Sequence, residues 1–385
     1  MPRHPDHNPV IAAVGGSAFG RFAARLARLQ GETYPLHIGD TWLPPGPGLR
    51  LQDLSDVEHP DLHRYANPGG DARLLAALST KVAERNGMPP GSTALLVTAG
   101  ATGALSAAAT VTLRTGDEVL ILAPYWPLIR GIATLTGATP VEVPALGLGS
   151  SPVELVAALE AHTTDRTAAI YFSTPSNPAG EVFSSAALDA IATFARVRNL
   201  WIWSDEVYED FAYAGEHVSM ARFAPERTLT AFSFSKAYGM TGHRVGYLAG
   251  PPDAIDAARR VTTHLWYSVT TAAQAVALRG LLTGGAWLDA ARQSYADTAG
   301  RVAALLGVAP PSGGTFLFVD AAPALDERGL TGFLEDCLED NVLVAPGTSF
   351  GAAYGTWIRL CFTAVPPDVA LRGAEKLALR LARRP

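Results

Sequence analysis

Cysteine is nearly missing from this chain. Cys337 and Cys361 are the only two in 385 residues. Two thiols cannot supply a disulfide framework or a four-ligand metal centre, so disulfide-stapled and zinc-finger architectures are excluded and a reducing compartment is expected. Charge of a single sign is also missing. Lys and Arg total 30 against 36 Asp and Glu, a formal net charge of −6, with the two signs interspersed and no basic run. That balance points away from nucleic acid and anionic membrane surfaces and toward a small molecule as the partner. No uninterrupted apolar segment reaches membrane-spanning length, and Met1 to Pro9 is polar and proline-rich, without the apolar stretch of a secretion signal. A soluble, unprocessed, cytoplasmic protein is expected. Common catalytic signatures are incomplete too: Gly147-Leu148-Gly149 lacks the third glycine of a dinucleotide fingerprint, and Gly15-Gly16-Ser17-Ala18-Phe19 lacks the second glycine of a nucleophile elbow. His59 and His63 stand four apart, but Pro60 intervenes and no thiol or acid cluster joins them, so no metal site is expected.

Apolar residues, by contrast, are plentiful at 48% of the chain, and 385 residues exceed what one hydrophobic core usually supports. The expectation is residues 1–40 as an N-terminal arm and helix packed with a small domain, residues 41–306 as a large domain, and residues 307–385 as the small C-terminal domain. Phe19, Phe22, Leu26 and Leu29 fall near helical spacing opposite Arg21, Arg25 and Arg28, which predicts an amphipathic helix over Ser17 to Gln30. Leu36 to Pro68 is dense in proline and glycine and reads as a long, functional connection. Asp71 to Arg85 reads as a helix. Apolar strands follow at Leu95 to Thr98, Val119 to Leu122, Pro140 to Val143, Ala169 to Phe172, Trp201 to Ser204, Leu229 to Phe234 and Val245 to Ala249, most of them separated by helical stretches. That alternation predicts an α/β fold with a mostly parallel seven-stranded sheet covered by helices on both faces. Helices at Pro252 to Val261 and Thr271 to Leu306 precede smaller α/β units, with strands at Phe316 to Val319, Val342 to Val344 and Trp357 to Phe362 and helices at Thr331 to Asp340 and Pro367 to Arg383.

In a parallel sheet the ligand sits beyond the carboxyl ends of the strands, and polar groups of distinct kinds stand there. Lys236 follows the apolar run Leu229 to Phe234 and precedes Gly239-Met240-Thr241-Gly242-His243-Arg244. Desolvation drives such an amine toward its neutral, nucleophilic form, able to form a Schiff base with an aldehyde. Ser233, Ser235 and Arg244 are equipped to hold a phosphate ester beside it, and Gly100-Ala101-Thr102 opens a helix whose free N–H groups suit the same anion. Tyr125 and Trp126 end the second strand, where an aromatic ring can stack on a flat ligand. Asn177 sits in the proline-stiffened loop Ser173 to Gly180. Asp205 closes an apolar strand, where a carboxylate needs a cationic partner such as a protonated pyridine, and Tyr208 lies three residues on. An aldehyde, a phosphate and a pyridine together describe pyridoxal phosphate.

These segments, in this order and spacing, resemble the class I/II aminotransferases of the aspartate aminotransferase superfamily, fold type I of the pyridoxal phosphate enzymes. The resemblance rests on Ser233-Phe234-Ser235-Lys236 with Gly242-His243-Arg244-Val245-Gly246, on Ser204-Asp205-Glu206-Val207-Tyr208 and on Ser176-Asn177-Pro178-Ala179-Gly180. It implies that Lys236 bonds the cofactor aldehyde and then acts as general base, that Asp205 pairs with the pyridinium, and that Asn177 and Tyr208 bond the ring oxygen. It further implies that Trp126 stacks on the ring and that the phosphate sits among Gly100, Ala101, Thr102, Ser233, Ser235 and Arg244. Arg359, inside the apolar strand Trp357-Ile358-Arg359-Leu360, matches the arginine that grips the substrate carboxylate, with Asn177 and Gly39 beside it. Tyr65 matches a tyrosine lent to the neighbouring active site, which implies a homodimer.

Two departures from the family pattern stand out. Thr174 and Ala179 replace the asparagine and threonine often seen in the asparagine loop, and Thr102 stands where thermophilic-type aspartate enzymes often carry lysine. The latter argues against aspartate as the preferred donor, and a neutral or aromatic L-amino acid with 2-oxoglutarate as acceptor is expected. Phe19, Trp266 and Tyr267 are candidates for the wall of the side-chain pocket. A pyridoxal phosphate lyase or oxidase on the same fold is the alternative. A ligand-sensing regulator is disfavoured, since the stretch before Ser17 leaves no room for a DNA-binding domain.

Overall fold

The computed structural model describes residues 7–16 and 29–383. Phe19 and nearly all of the helix expected over Ser17 to Gln30 lie outside the described residues. The strands in chain order are β1 (Tyr34–Pro35), β2 (Ala94–Thr98), β3 (Glu118–Ala123), β4 (Thr139–Pro144), β5 (Thr167–Ser173), β6 (Trp201–Asp205), β7 (Thr228–Ser233) and β8 (Gly246–Gly250), then β9 (Phe316–Asp320), β10 (Val342–Leu343), β11 (Ala345–Pro346) and β12 (Trp357–Cys361).

Seven of them form one sheet in the order β2-β8-β7-β6-β5-β3-β4. From β7 through β4 the pairings are parallel, and β8 runs antiparallel to both its neighbours. The exception has a local cause: after Ser233 the chain makes only the short helix Phe234–Ala237 and a turn at Thr241–His243, which is too little for a crossover back to a parallel strand.

Both faces are covered. Helices α1 (Ala72–Asn86), α2 (Gly100–Thr112), α3 (Leu128–Leu135), α4 (Pro152–His162) and α5 (Ser185–Arg198) supply most of the cover. Leu105, Ile129 and Ile132 pack with Ile121, Tyr171 and Trp203 on one face, while Leu155, Leu159, Leu188 and Ile191 pack with Leu120, Ile170 and Phe172 on the other. Each such side chain taken fully out of water contributes about 1.5–3 kcal/mol, so the sheet is a stiff base for whatever its strand ends carry. Asp71 caps α1, accepting from the Arg73 and Leu74 N–H groups, and Gly87 ends it at φ 68°.

The sequence reading and the structure differ in element bounds and in the short strands Tyr34–Pro35 and Ala345–Pro346, which the sequence pattern does not predict, and more clearly at the following places. Leu128–Leu135 is a helix that the flanking prolines concealed, and Phe234 starts a helix rather than ending a strand. The stretch expected as helical from Thr271 to Leu306 is two helices, Thr271–Thr283 and Gly285–Leu306. The break is at Gly284, where a Cβ would lie 2.5 Å from the Gly280 oxygen and 2.7 Å from the Tyr238 ring.

In the C-terminal part β11, β12 and β9 make an antiparallel sheet in which Arg359 pairs with Ala345 and Phe318. β1 pairs in parallel with β10, so the segment after residue 30 is stitched to the C-terminal unit. Leu36 and Tyr34 share that unit's core with Leu334, Leu360 and Leu377.

Candidate active site

A cavity of about 460 Å³ opens beyond the carboxyl ends of the central strands. Several elements deliver groups to it. β6 ends in Asp205, β7 ends in Ser233 and feeds Ser235 and Lys236, and the loop after β5 brings Asn177. The turn after β3 brings Trp126, the first turn of α2 brings Ala101 and Thr102, and β12 brings Arg359 from the other sheet.

Lys236 sits on the four-residue helix Phe234–Ala237, whose first turn is capped by Ser233 Oγ accepting from the Ser235 N–H at 3.0 Å. Its ammonium donates to the Gly39 carbonyl. Burial lowers its pKa below the ordinary lysine value, and the Arg359 and Arg244 charges act in the same direction against the opposing influence of Cys361 and Asp40. The amine is thus more readily neutral than a surface lysine.

Asp205 is 4% exposed. Its Oδ2 accepts the Tyr171 hydroxyl at 2.9 Å, and its Oδ1 is buried with no hydrogen-bond partner. Burial pushes its pKa up to about 6, against the lowering effect of the Tyr171 hydroxyl. An unpaired carboxylate oxygen in a dry wall calls for a cation.

Arg359 has the opposite need. Nη1 donates to Asn177 Oδ1 at 2.9 Å and Nη2 to the His37 carbonyl at 2.8 Å, and its carbon lies 4.3 Å and 4.7 Å from the ring centres of Phe316 and Phe350. Among the described residues no carboxylate pairs with it, and burial lowers its pKa. A guanidinium held this firmly without a counter-ion is a receptor for an anion. It also holds down His37, whose pKa burial and the Arg359 charge lower to about 4.

At the third corner the N-terminus of α2 lines the cavity together with Ser233, Ser235, Thr241 and Arg244. Gly100, at φ 69°, approaches Arg244 so closely that a Cβ would lie 2.5 Å from Nη2. Free N–H groups, a helix dipole, hydroxyls and an arginine converge on one spot, which suits a phosphate.

The profile of the family described as aminotransferase class I and II matches residues 50–377. The chain belongs to that family. It is 34% identical over 331 residues to the aspartate/prephenate aminotransferase of Thermus thermophilus, covering 83% of this chain and 84% of that one. It is 30% identical over 371 residues to an arginine–pyruvate transaminase of Pseudomonas aeruginosa, covering 93% of each. Among solved structures it superposes on the aspartate aminotransferase of Thermus thermophilus with maleate at a TM-score of 0.86 and 29% identity, over 98% of this chain and all of that one.

This aminotransferase is therefore a pyridoxal phosphate enzyme, and its cavity fits that cofactor. The unpartnered Asp205 oxygen suits a pyridinium, the α2 terminus with Arg244 suits a phosphate, and the Lys236 amine lines the same cavity. Tyr208, buried, lines the same wall, and burial raises its pKa above the usual tyrosine range.

The sequence-predicted residues Gly39, Ala101, Thr102, Trp126, Asn177, Asp205, Tyr208, Ser233, Ser235, Lys236, Arg244 and Arg359 all line this one cavity. Gly100 stands directly behind it. Tyr65 does not enter it; this side chain is 86% exposed and packs edge-on against Tyr267, ring centres 5.0 Å apart. Trp266 packs against Gly103 at the back of α2, and neither it nor Tyr267 lines the cavity.

Sequence reasoning missed Tyr171, which donates to Asp205, and Phe316 and Phe350, whose rings lie against Arg359. A signal for Tyr171 existed: it shares a strand face with Ser173, which pairs with Asp205 across β5 and β6. None existed for the two phenylalanines, which meet Arg359 only through tertiary packing.

Proposed function

We propose that the enzyme moves the amino group of a neutral or aromatic L-amino acid to 2-oxoglutarate, with Lys236 as the residue bonded to the cofactor aldehyde. The observation that carries this is the pairing of opposite deficits in one cavity: a desolvated amine and an unpartnered carboxylate oxygen on one side, a buried guanidinium without a counter-ion on the other.

Bound there, pyridoxal phosphate supplies an electron sink for the pair left when the substrate's Cα–H bond breaks. Arg359 takes the substrate carboxylate through two parallel hydrogen bonds and fixes the Cα–H direction. Asn177, tied to Arg359 through Oδ1 and to Ser173 Oγ through its N–H at 3.1 Å, keeps that geometry from drifting. Lys236, as a neutral amine, would be the general base that takes the Cα proton and the acid that returns it at the cofactor's aldehyde carbon. Asp205, when ionised, would hold a positive charge on the cofactor's ring nitrogen, and Tyr208 would donate a hydrogen bond to its ring oxygen.

The donor class rests on the wall. Ile38, Leu105 and Leu128 give it apolar surface, Thr102 is uncharged, and among the described residues no lysine or arginine besides Lys236, Arg244 and Arg359 lines it. Among those residues a second carboxylate on the substrate finds no cation of its own. The relatives' names span aspartate, prephenate, arginine and pyruvate, so the wall and not the kinship carries this reading. A screen of twenty donors on the loaded enzyme is expected to rank leucine, methionine, phenylalanine and tyrosine above aspartate; strong aspartate preference would overturn the donor class and leave the site residues intact.

The working unit we propose is a homodimer. Tyr65, solvent-exposed within one chain, reaches the cavity of a second copy, and Val57, 93% exposed, lies on the same connection. Sedimentation of the loaded enzyme as a monomer at full activity would contradict it.

A further inference from the structure

The stretch Asp205-Glu206-Val207-Tyr208-Glu209 divides its polar side chains between two sides of the backbone. Asp205 and Tyr208 face the cofactor cavity. Glu206 and Glu209 point the other way, into a buried cluster that the reaction does not use. Glu206, 0% exposed, accepts from Ser204 Oγ at 2.7 Å, Ser219 Oγ at 3.0 Å, the Met220 N–H at 3.0 Å and His217 Nε2 at 2.9 Å. Glu209 accepts from the Lys81 ammonium and from Asn86 Nδ2 at 2.8 Å. Lys81, 9% exposed, is held by Asn86 Oδ1 at 2.9 Å and lies 4.4 Å over the Phe232 ring.

Oxygen and nitrogen atoms of Glu206, Glu209 and His217 gather within 4.8 Å of one another, as metal ligands do. The Lys81 ammonium already supplies a cation beside Glu209, and Glu206 Oε1 takes three donors while Oε2 is held by His217 Nε2, so the cluster reads as an anchor and not as a metal site. Burial alone would keep His217 neutral, but the Glu206 hydrogen bond and charge outweigh it and raise its pKa.

Buried ion pairs contribute little net stability against apolar packing, yet removing one partner leaves a charge stranded, so what they provide is a single allowed geometry. That geometry belongs to the five-residue turn that presents Asp205 and Tyr208. We propose that His217 and Lys81 are positioning residues for the cofactor: acting through Glu206 and Glu209 from behind, they fix the turn that aims Asp205 and Tyr208 into the cavity. The inference rests on the assignment of that cavity to pyridoxal phosphate.

The test compares purified wild type with His217→Leu, His217→Gln and Lys81→Met, measuring pyridoxal phosphate dissociation by fluorescence, the absorption spectrum of the bound cofactor, and kcat and KM. His217→Leu is expected to weaken cofactor binding about tenfold or more, as loss of an outer-sphere partner does, and to shift the bound cofactor's absorption. His217→Gln, whose amide nitrogen can take the place of Nε2, recovers most of both. In the loaded variants kcat falls while KM for the donor stays close to wild type, because Arg359 is untouched. Should His217→Leu fail to fold, Lys81→Met carries the same expectation. Wild-type affinity and spectrum in both His217→Leu and Lys81→Met would overturn the inference, as would equal weakening in His217→Leu and His217→Gln. If the wild type itself binds no pyridoxal phosphate, the cavity assignment has failed instead.

Discussion

Replacing Arg359 by lysine keeps the charge and removes the fork. In the native chain the guanidinium is held through both terminal nitrogens, by Asn177 Oδ1 at 2.9 Å and the His37 carbonyl at 2.8 Å, and lies against the Phe316 and Phe350 rings. A substrate carboxylate then meets two aligned donors at no further ordering cost. Charge-assisted hydrogen bonds contribute about 1.5–3 kcal/mol each, and lysine can supply one of the two. At 1.4 kcal/mol per tenfold, Arg359→Lys should lower kcat/KM for the amino donor roughly 10- to 150-fold, and Arg359→Met, which removes both bonds and the charge, roughly 10² to 10⁴-fold. Cofactor affinity should hardly change, because the phosphate and pyridinium contacts lie elsewhere. The assay is single-turnover reaction of the loaded enzyme with excess donor, alongside a cofactor titration. Arg359→Met with kcat/KM within about threefold of wild type, a loss under 1 kcal/mol, would refute the reasoning. Loss of cofactor binding in step with activity would show that Arg359 serves the cofactor.

Two further outcomes follow from the geometry. Asp205 has a pKa raised from 3.8 to about 6, so the folded chain holds this proton more tightly than the unfolded one. Its contribution to folding is complete below about pH 4 and is lost as pH rises through about 6, a loss of ~3 kcal/mol. Without cofactor, Asp205→Asn should therefore unfold at a higher temperature than wild type at pH 8, with a flatter profile between pH 4 and 7, while binding the cofactor at least about tenfold more weakly; a less stable cofactor-free variant at pH 8 would sink this. Gly100→Ala puts a side chain 2.5 Å from Arg244 Nη2 at φ 69°, so it should cost about 1–2 kcal/mol of stability and displace the phosphate-binding arginine; unchanged cofactor affinity would contradict the assigned cradle.

Much of this site can be read from the sequence because each group stands at a strand end, where composition changes abruptly. Asp205 closes Trp201-Ile202-Trp203-Ser204, and Lys236 follows six apolar or small residues of β7, so both are marked by local contrast. The parallel order of the sheet followed from the same alternation. What escaped was what only packing decides. The helix Leu128–Leu135 hides behind Pro124 and Pro127, yet it brings Leu128 into the cavity wall. Gly284 breaks a helical pattern because Tyr238, far away in sequence, leaves no room for a Cβ. Trp266 looked like a pocket residue, and instead it fills the space that Gly103 leaves behind α2. Lys81 and His217, ordinary surface residues by pattern, are buried because Glu209 and Glu206 draw them in.

The central claim is that the Lys236 nitrogen bonds the cofactor aldehyde, and borohydride reduction of the loaded enzyme, followed by peptide mapping, tests it most directly. The mass of the reduced pyridoxal phosphate group should appear on the peptide containing Lys236, and Lys236→Ala should show neither that label nor turnover. A label on Lys81 or Lys376, or none at all on fully loaded protein, would contradict it.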